Sequence, residues 1–174
     1  HLKSSSEMAA LFKDCPEALS NTLMVAERCS FDLTRDLGYK FPDHPVPQGH
    51  TQLSYLEELC HKAAIRRYGR INRRVRKRLS DEFRLIKKHD LAGFLLIYHA
   101  IIQMAREIQI ELGLRDPEIP LEERPPGRGR GSSVAMLVGY LIGLSHIDPL
   151  KFDLSLERFL QEDMAAVPDI DLDF

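Results

Sequence analysis

From Leu53 to Ile86 apolar residues return at every third or fourth position, with one interruption at Gly69. That period belongs to the α-helix, because it gathers the apolar side chains on one face. Leu53, Leu56, Cys60 and Ala63 make the first stripe, and Val75, Leu79, Phe83 and Ile86 the second. The first stripe predicts a helix from about Leu53 to Tyr68, with Gly69 at the usual C-terminal stop. The second predicts a helix whose outer faces hold Arg73, Arg74, Arg76, Lys77 and Arg78. A chain carrying such stripes has to build a helix-rich core.

The flanking segments extend this pattern. Ser4 and Glu7 have capping-box spacing, with Met8, Leu11 and Phe12 continuing on one face. Pro16 suits the first turn of a second helix that turns Leu19, Leu23 and Ala26 inward and ends near Cys29. Leu33 to Gly49 holds three prolines and two glycines, which places a surface connection and a possible boundary there. Leu91 to Glu111 reads as a helix, with a short strand around Phe94–Ile97 left open by its continuous apolar run. Residues 112–126, with four prolines, read as a long, mobile loop. A last helix is expected from Ser133 to Leu144.

At 174 residues the chain can form one domain with a real core, or one domain plus the remnant of another. It begins at His1 and ends inside a strand-like run, so it reads as a piece of something larger. The longest apolar run, Phe94–Tyr98, is far short of the ~18–20 residues of a membrane span. Cys15, Cys29 and Cys60 are neither a disulfide framework nor a metal knuckle, which suggests a reducing cytoplasm. The net charge of −2 hides an asymmetry: residues 61–90 carry twelve Lys/Arg against three acids. Residues 148–174 carry eight acids against two bases. Two different partners are implied, a polyanion at one place and cations at another. The basic stretch 66–78 could equally be a solvated helix face.

Two short stretches could carry chemistry. The first is Pro168-Asp169-Ile170-Asp171-Leu172-Asp173-Phe174, whose alternation is that of a β-strand. It would set three carboxylates on one face and Ile170 and Leu172 on the other. Carboxylates so spaced can converge on hard divalent cations, or merely solvate an edge strand. The second is Gly127-Arg128-Gly129-Arg130-Gly131-Ser132-Ser133. Glycines let main-chain N–H groups approach an anion, Ser hydroxyls add donors, and Arg130 and Arg128 could supply full charges. It is neither a Walker loop nor a dinucleotide fingerprint, and a plain loop is the competing reading. His44, His50, His61, His89, His99 and His146 form no visible ligand constellation.

Gly129-Arg130-Gly131-Ser132, Asp148-Pro149-Leu150 with Leu156-Glu157-Arg158-Phe159-Leu160, and the terminal acidic strand occur together and in order. This set resembles the palm of bacterial C-family DNA polymerases, the alpha subunit of DNA polymerase III and its error-prone relatives. Leu91–Ile97 is similar to the family's segment before the glycine loop. Glu7-Met8, Pro16–Leu19 and Ala26–Cys29 resemble the junction leaving its PHP domain.

The resemblance implies an α+β, helix-rich fold, part of a palm of the DNA polymerase beta-like nucleotidyltransferase type. Residues 1–32 would be the helical junction and 33–174 the amino-terminal part of the palm. It further implies that Asp169 and Asp171 hold two Mg²⁺ ions, with Asp173 a further acid of lesser rank. Gly129, Arg130, Gly131, Ser132 and Arg158 would receive the incoming triphosphate. Primer–template DNA, deoxynucleoside triphosphates, other polymerase domains and replisome subunits are the implied partners, in the cytoplasm and without a membrane. Met136 stands where the family usually has Ser. A silent interaction module and a non-polymerase nucleotidyltransferase are the alternative readings.

Overall fold

The computed structural model describes residues 2–32, 42–164 and 169–174. The chain divides into two compact units, residues 1–40 and 41–174. In the first, α1 (Ser5–Leu11) begins with the expected capping box: Ser4 Oγ accepts from the Glu7 N–H, and the Glu7 carboxylate accepts from the Ser4 N–H at 2.7 Å. α2 (Pro16–Arg28) opens on its proline. Neither helix has a buried residue, and Leu23, expected to face inward, is 67% exposed. Two short helices are too little chain to enclose a core.

Among the described residues the second unit is built on four α-helices. α3 (Gln52–Tyr68) starts at Thr51, whose side chain accepts from the Ser54 N–H, and stops at Gly69. α4 (Arg73–Lys88) starts at Asn72, whose Oδ1 accepts from the Val75 N–H at 3.0 Å. These side chains satisfy main-chain donors that the first turn of a helix leaves unpaired. α5 (Ala92–Glu111) is helical throughout, so residues 94–97 form no strand. α6 (Leu137–Leu141) is short and wholly buried. α3 packs against α4, α5 and α6, and α4 also packs against α6. Leu56, Cys60, Ala63, Val75, Leu79, Ile86, Leu95, Leu96 and Ile102 fill the space between them together with Met136 to Ile142. Each large side chain so buried contributes about 1.5–3 kcal/mol.

Two expectations fail at one place. The helix expected from Ser133 to Leu144 is instead a 3₁₀ turn (Gly131–Ala135), an extended Met136 with ψ 128°, and then α6. Arg78, expected on an outer face, turns inward. The cause of both is a clamp from α4. Glu82 is fully buried, and its two carboxylate oxygens accept from the N–H groups of Leu137 and Val138, each at 2.8 Å. Arg78 donates from Nε to Glu82 at 2.7 Å and from Nη2 to the carbonyls of Ala135 at 2.6 Å and Leu154 at 3.1 Å. A carboxylate thus caps α6 from a neighbouring helix, and the guanidinium takes the last carbonyl of the 3₁₀ turn, so the helix restarts at Leu137.

Residues 112–126 carry no helix or strand, yet they lie against the helices. Leu121 and Glu122 are buried, and Glu122 pairs with Arg66 of α3. Arg106 of α5 donates to the Pro117 carbonyl at 2.7 Å. The sheet consists of β1 (Arg128–Gly129) and β2 (Leu172–Asp173), paired antiparallel. The molecule is therefore helix-rich α+β. Among the described residues no single helix is long and apolar enough to cross a membrane.

Burial pushes the Glu82 carboxyl up, against the three donors that favour its charge. A carboxyl raised in the folded state holds its proton more tightly there than in the unfolded chain. Its titration therefore lowers stability as pH rises from the unfolded value of 4.5 through the folded one. Replacing Glu82→Ala leaves two buried N–H groups and the charge and Nε of Arg78 unanswered, and should cost about 3–5 kcal/mol in urea unfolding. A loss below ~1 kcal/mol would contradict the clamp.

Candidate functional site

The acidic strand and the glycine-rich turn, about forty residues apart in sequence, are joined by main-chain pairing. Arg128 lies opposite Asp173 and Gly129 opposite Leu172. One step further, the Arg130 N–H donates to the Asp171 carbonyl at 2.9 Å. The alternation read from the sequence holds: Ile170 is buried and Leu172 partly so, while Asp169, Asp171 and Asp173 are exposed. Ile170 is the anchor, with its side chain in the core and its carbonyl accepting from Tyr98 Oη at 2.9 Å. The carboxylates flanking it are thereby held toward solvent.

Gly129 is required by close approach. Its N–H donates to the Leu144 carbonyl at 2.6 Å, and a Cβ would lie 2.6 Å from that same oxygen. Gly131 is required by its dihedral, φ +73°, which lets the chain leave β1 and enter the 3₁₀ turn. Ser133 Oγ donates to the Arg130 carbonyl at 2.8 Å and is buried, while Ser132 is half-buried beside it. Met136 is fully buried among the helices. The 3₁₀ turn Leu156–Arg158 packs against the one at Gly131–Ala135. The side chain of Arg158 lies outside the described residues, as does Pro168.

Electrostatics add one detail the sequence reading did not contain. The Arg130 guanidinium donates from Nε to Asp173 Oδ2 at 2.8 Å, so the third acid partners an arginine of the turn. Both side chains are more than half exposed, and such pairs contribute about 1 kcal/mol or less. Among the described residues no group of three His, Cys, Asp or Glu is arranged to hold a metal. Asp169 and Asp171 offer hard oxygen donors, the type that Mg²⁺ takes, but two carboxylates leave most of its six positions to other ligands. On the basic side, Arg70, Arg73, Arg76 and Lys77 are exposed, and Arg74 pairs with Asp153 at 2.9 Å. His89, His99 and His146 each meet a main-chain carbonyl, those of Gln161, Ile142 and Gly127.

Sequence reasoning missed Arg78 and Glu82, the pair that fixes the Gly-Ser turn from behind. A signal was present: Leu79, Glu82 and Ile86 follow the helical spacing of three and four, so an acid sits within the apolar stripe. The site's geometry also makes a prediction. Gly129→Ala should break the β1–β2 register and cost about 1–3 kcal/mol in thermal unfolding. An unchanged midpoint would show that the Leu144 carbonyl does not constrain the turn.

A family model described as the bacterial DNA polymerase III alpha NTPase domain matches residues 54–174. The chain is similar to the error-prone DNA polymerase of Bradyrhizobium sp. (strain ORS 278), 37% identical over 175 residues, 100% of this chain and 14% of that protein. It is 36% identical over 176 residues to the error-prone DNA polymerase of Rhodopseudomonas palustris (strain ATCC BAA-98 / CGA009), covering 100% of this chain and 13% of the other. That of Nocardia farcinica (strain IFM 10152) is 34% identical over 175 residues, with 99% of this chain and 14% of the other covered. The chain thus spans 13–14% of the length of these relatives. Matched over more than half its length by the family's own domain, the chain belongs to the bacterial DNA polymerase III alpha family.

Proposed function

We propose that this chain is the amino-terminal part of the palm of a template-directed DNA polymerase, of the DNA polymerase beta-like nucleotidyltransferase type, with residues 1–32 the junction from a PHP domain. The observation that carries this reading is the pairing of β1 with β2, which seats the Gly-Arg-Gly-Ser turn beside the acidic strand. Nucleotidyl transfer needs two groupings within reach of one another: carboxylates for cations and an anion-binding turn for the triphosphate.

In this reading Asp169 and Asp171 are the metal ligands, and their hard oxygen donors suit Mg²⁺. When bound, two Mg²⁺ ions would favour the attacking 3′-hydroxyl oxygen and offset charge on the departing pyrophosphate. Gly129 and Gly131 keep side chains away from the triphosphate, and Ser132 offers a hydroxyl and an N–H to its oxygens. Arg130 is oriented by Asp173 until a phosphate competes for its guanidinium, and Arg158 supplies a second charge. The Arg78–Glu82 clamp holds this turn without touching substrate. Primer–template DNA, deoxynucleoside triphosphates, other polymerase domains and replisome subunits are the partners, in the cytoplasm. The burial of Met136 in the core gives the silent-module reading no support.

Two tests bear on this. In the full-length polymerase, Asp169→Asn or Asp171→Asn should lower kcat for primer extension by at least ~10²–10³ with the protein still folded. Unchanged synthesis would refute the assignment. Residues 1–174 alone, given primed template, nucleotides and Mg²⁺, should not extend primers; sustained extension would show the site complete within this chain.

A further inference from the structure

Asp169 and Asp171 sit on a run of main chain that is held from both of its edges. In an extended strand successive carbonyls leave toward opposite edges. The Asp171 carbonyl faces β1 and accepts from the Arg130 N–H at 2.9 Å. The Ile170 carbonyl leaves by the other edge, where the described residues supply no further strand. Tyr98 of α5 stands in for one: its Oη donates to that carbonyl at 2.9 Å.

The peptide plane fixed by this bond joins Ile170 to Asp171. Its orientation sets ψ of Ile170 and φ of Asp171, the rotations that aim the Asp171 carboxylate relative to that of Asp169. Among the described residues neither carboxylate has a hydrogen-bond or ion-pair partner of its own, so their aim depends on the main chain. The donor is itself well held. Tyr98 is partly buried against the core, and the Phe94 ring meets its ring edge-on, with centroids 5.0 Å apart and planes at 64°. One turn further along α5, Ile102 fixes the helix in the core with no exposure.

We infer that Tyr98 is a positioning residue for the metal pair, its hydroxyl holding the Asp169 and Asp171 carboxylates in the relative geometry that divalent ions require. The inference rests on the reading of those two aspartates as metal ligands, and Tyr98 itself touches neither metal nor substrate. Mg²⁺ demands near-ideal octahedral geometry, so a carboxylate that swings with its peptide plane is a poorer ligand for it. Groups that orient metal ligands from behind change metal affinity by about 10–100-fold when lost. Tyr98 acts through the main chain, which places it at the lower end of that range.

The test is Tyr98→Phe, which keeps the ring against Phe94 and removes only the hydroxyl. Mn²⁺ binding by the whole chain, read from the electron paramagnetic resonance of the free ion, should weaken roughly tenfold. In the full-length polymerase the Mg²⁺ concentration giving half-maximal primer extension should rise by the same factor, with KM for the deoxynucleotide at saturating Mg²⁺ unchanged. Ile102→Val trims the core on the same helix and controls for lost stability alone. It should lower the thermal midpoint and leave both metal readings as they were. Tyr98→Phe binding Mn²⁺ like the unsubstituted chain would overturn the inference. A weakening that Ile102→Val reproduces would overturn it too, by reducing the hydroxyl to a contributor to stability. Asp169→Asn separates this failure from that of the underlying reading. Normal Mn²⁺ binding in Asp169→Asn would refute the ligand assignment and the inference with it; binding lost there but intact in Tyr98→Phe would refute the positioning role alone.

Discussion

The rest of the second unit depends on a carboxylate with no exposure to water. Glu82 meets the N-terminus of α6 through two main-chain N–H groups and is held there by Arg78. In a dry interior an ionised carboxylate is tolerated only when donors surround it, so the arrangement is satisfied in one geometry and costly in nearby ones. That geometry decides where α6 begins. It also fixes the last carbonyl of the 3₁₀ turn, because Arg78 takes the Ala135 oxygen. The Gly-Ser turn is therefore the far end of a lever whose fulcrum lies in the core.

From that fulcrum two connections reach the acidic strand. Leu144, just beyond α6, accepts from Gly129, and Gly129 pairs with Leu172. Ile170 enters the core on its own account and is tied through its carbonyl to Tyr98 of α5. The carboxylates and the turn thus rest on the same packed helices, although only four residues of strand join them. Short pairing suffices because the neighbouring main chain is already constrained. Precise placement of charged groups requires support of this kind beneath it.

Much of this could be read in the sequence, for identifiable reasons. The stripes on α3 and α4 mark faces that are buried in the structure, since a helix's period is written residue by residue. The alternation around Ile170 correctly gave the exposed acids. What the stripe of α4 concealed was Arg78, which looks like one more arginine of an outer face. Its inward turn depends on Glu82, Ala135 and Leu154, and the last two lie more than fifty residues away. The split of the helix expected over 133–144 has the same distant cause. The pairing of β1 with β2 was likewise invisible locally, because a two-residue strand leaves no periodic trace. The resemblance to the polymerase family supplied the association that spacing alone could not.

The central claim is that the glycine-rich turn and the acidic strand form one site. Its most direct test is paramagnetic broadening by Mn²⁺, a hard divalent ion that takes carboxylate ligands as Mg²⁺ does. Amide resonances of the isotope-labelled chain would be followed as Mn²⁺ is added, with an Asp169→Asn, Asp171→Asn double variant as control. Broadening should appear first, and together, at residues 129–132 and 169–173, and should vanish from both in the variant. Broadening confined to the strand, or centred on other acids such as Asp153 and Asp163 and unchanged in the variant, would contradict the account.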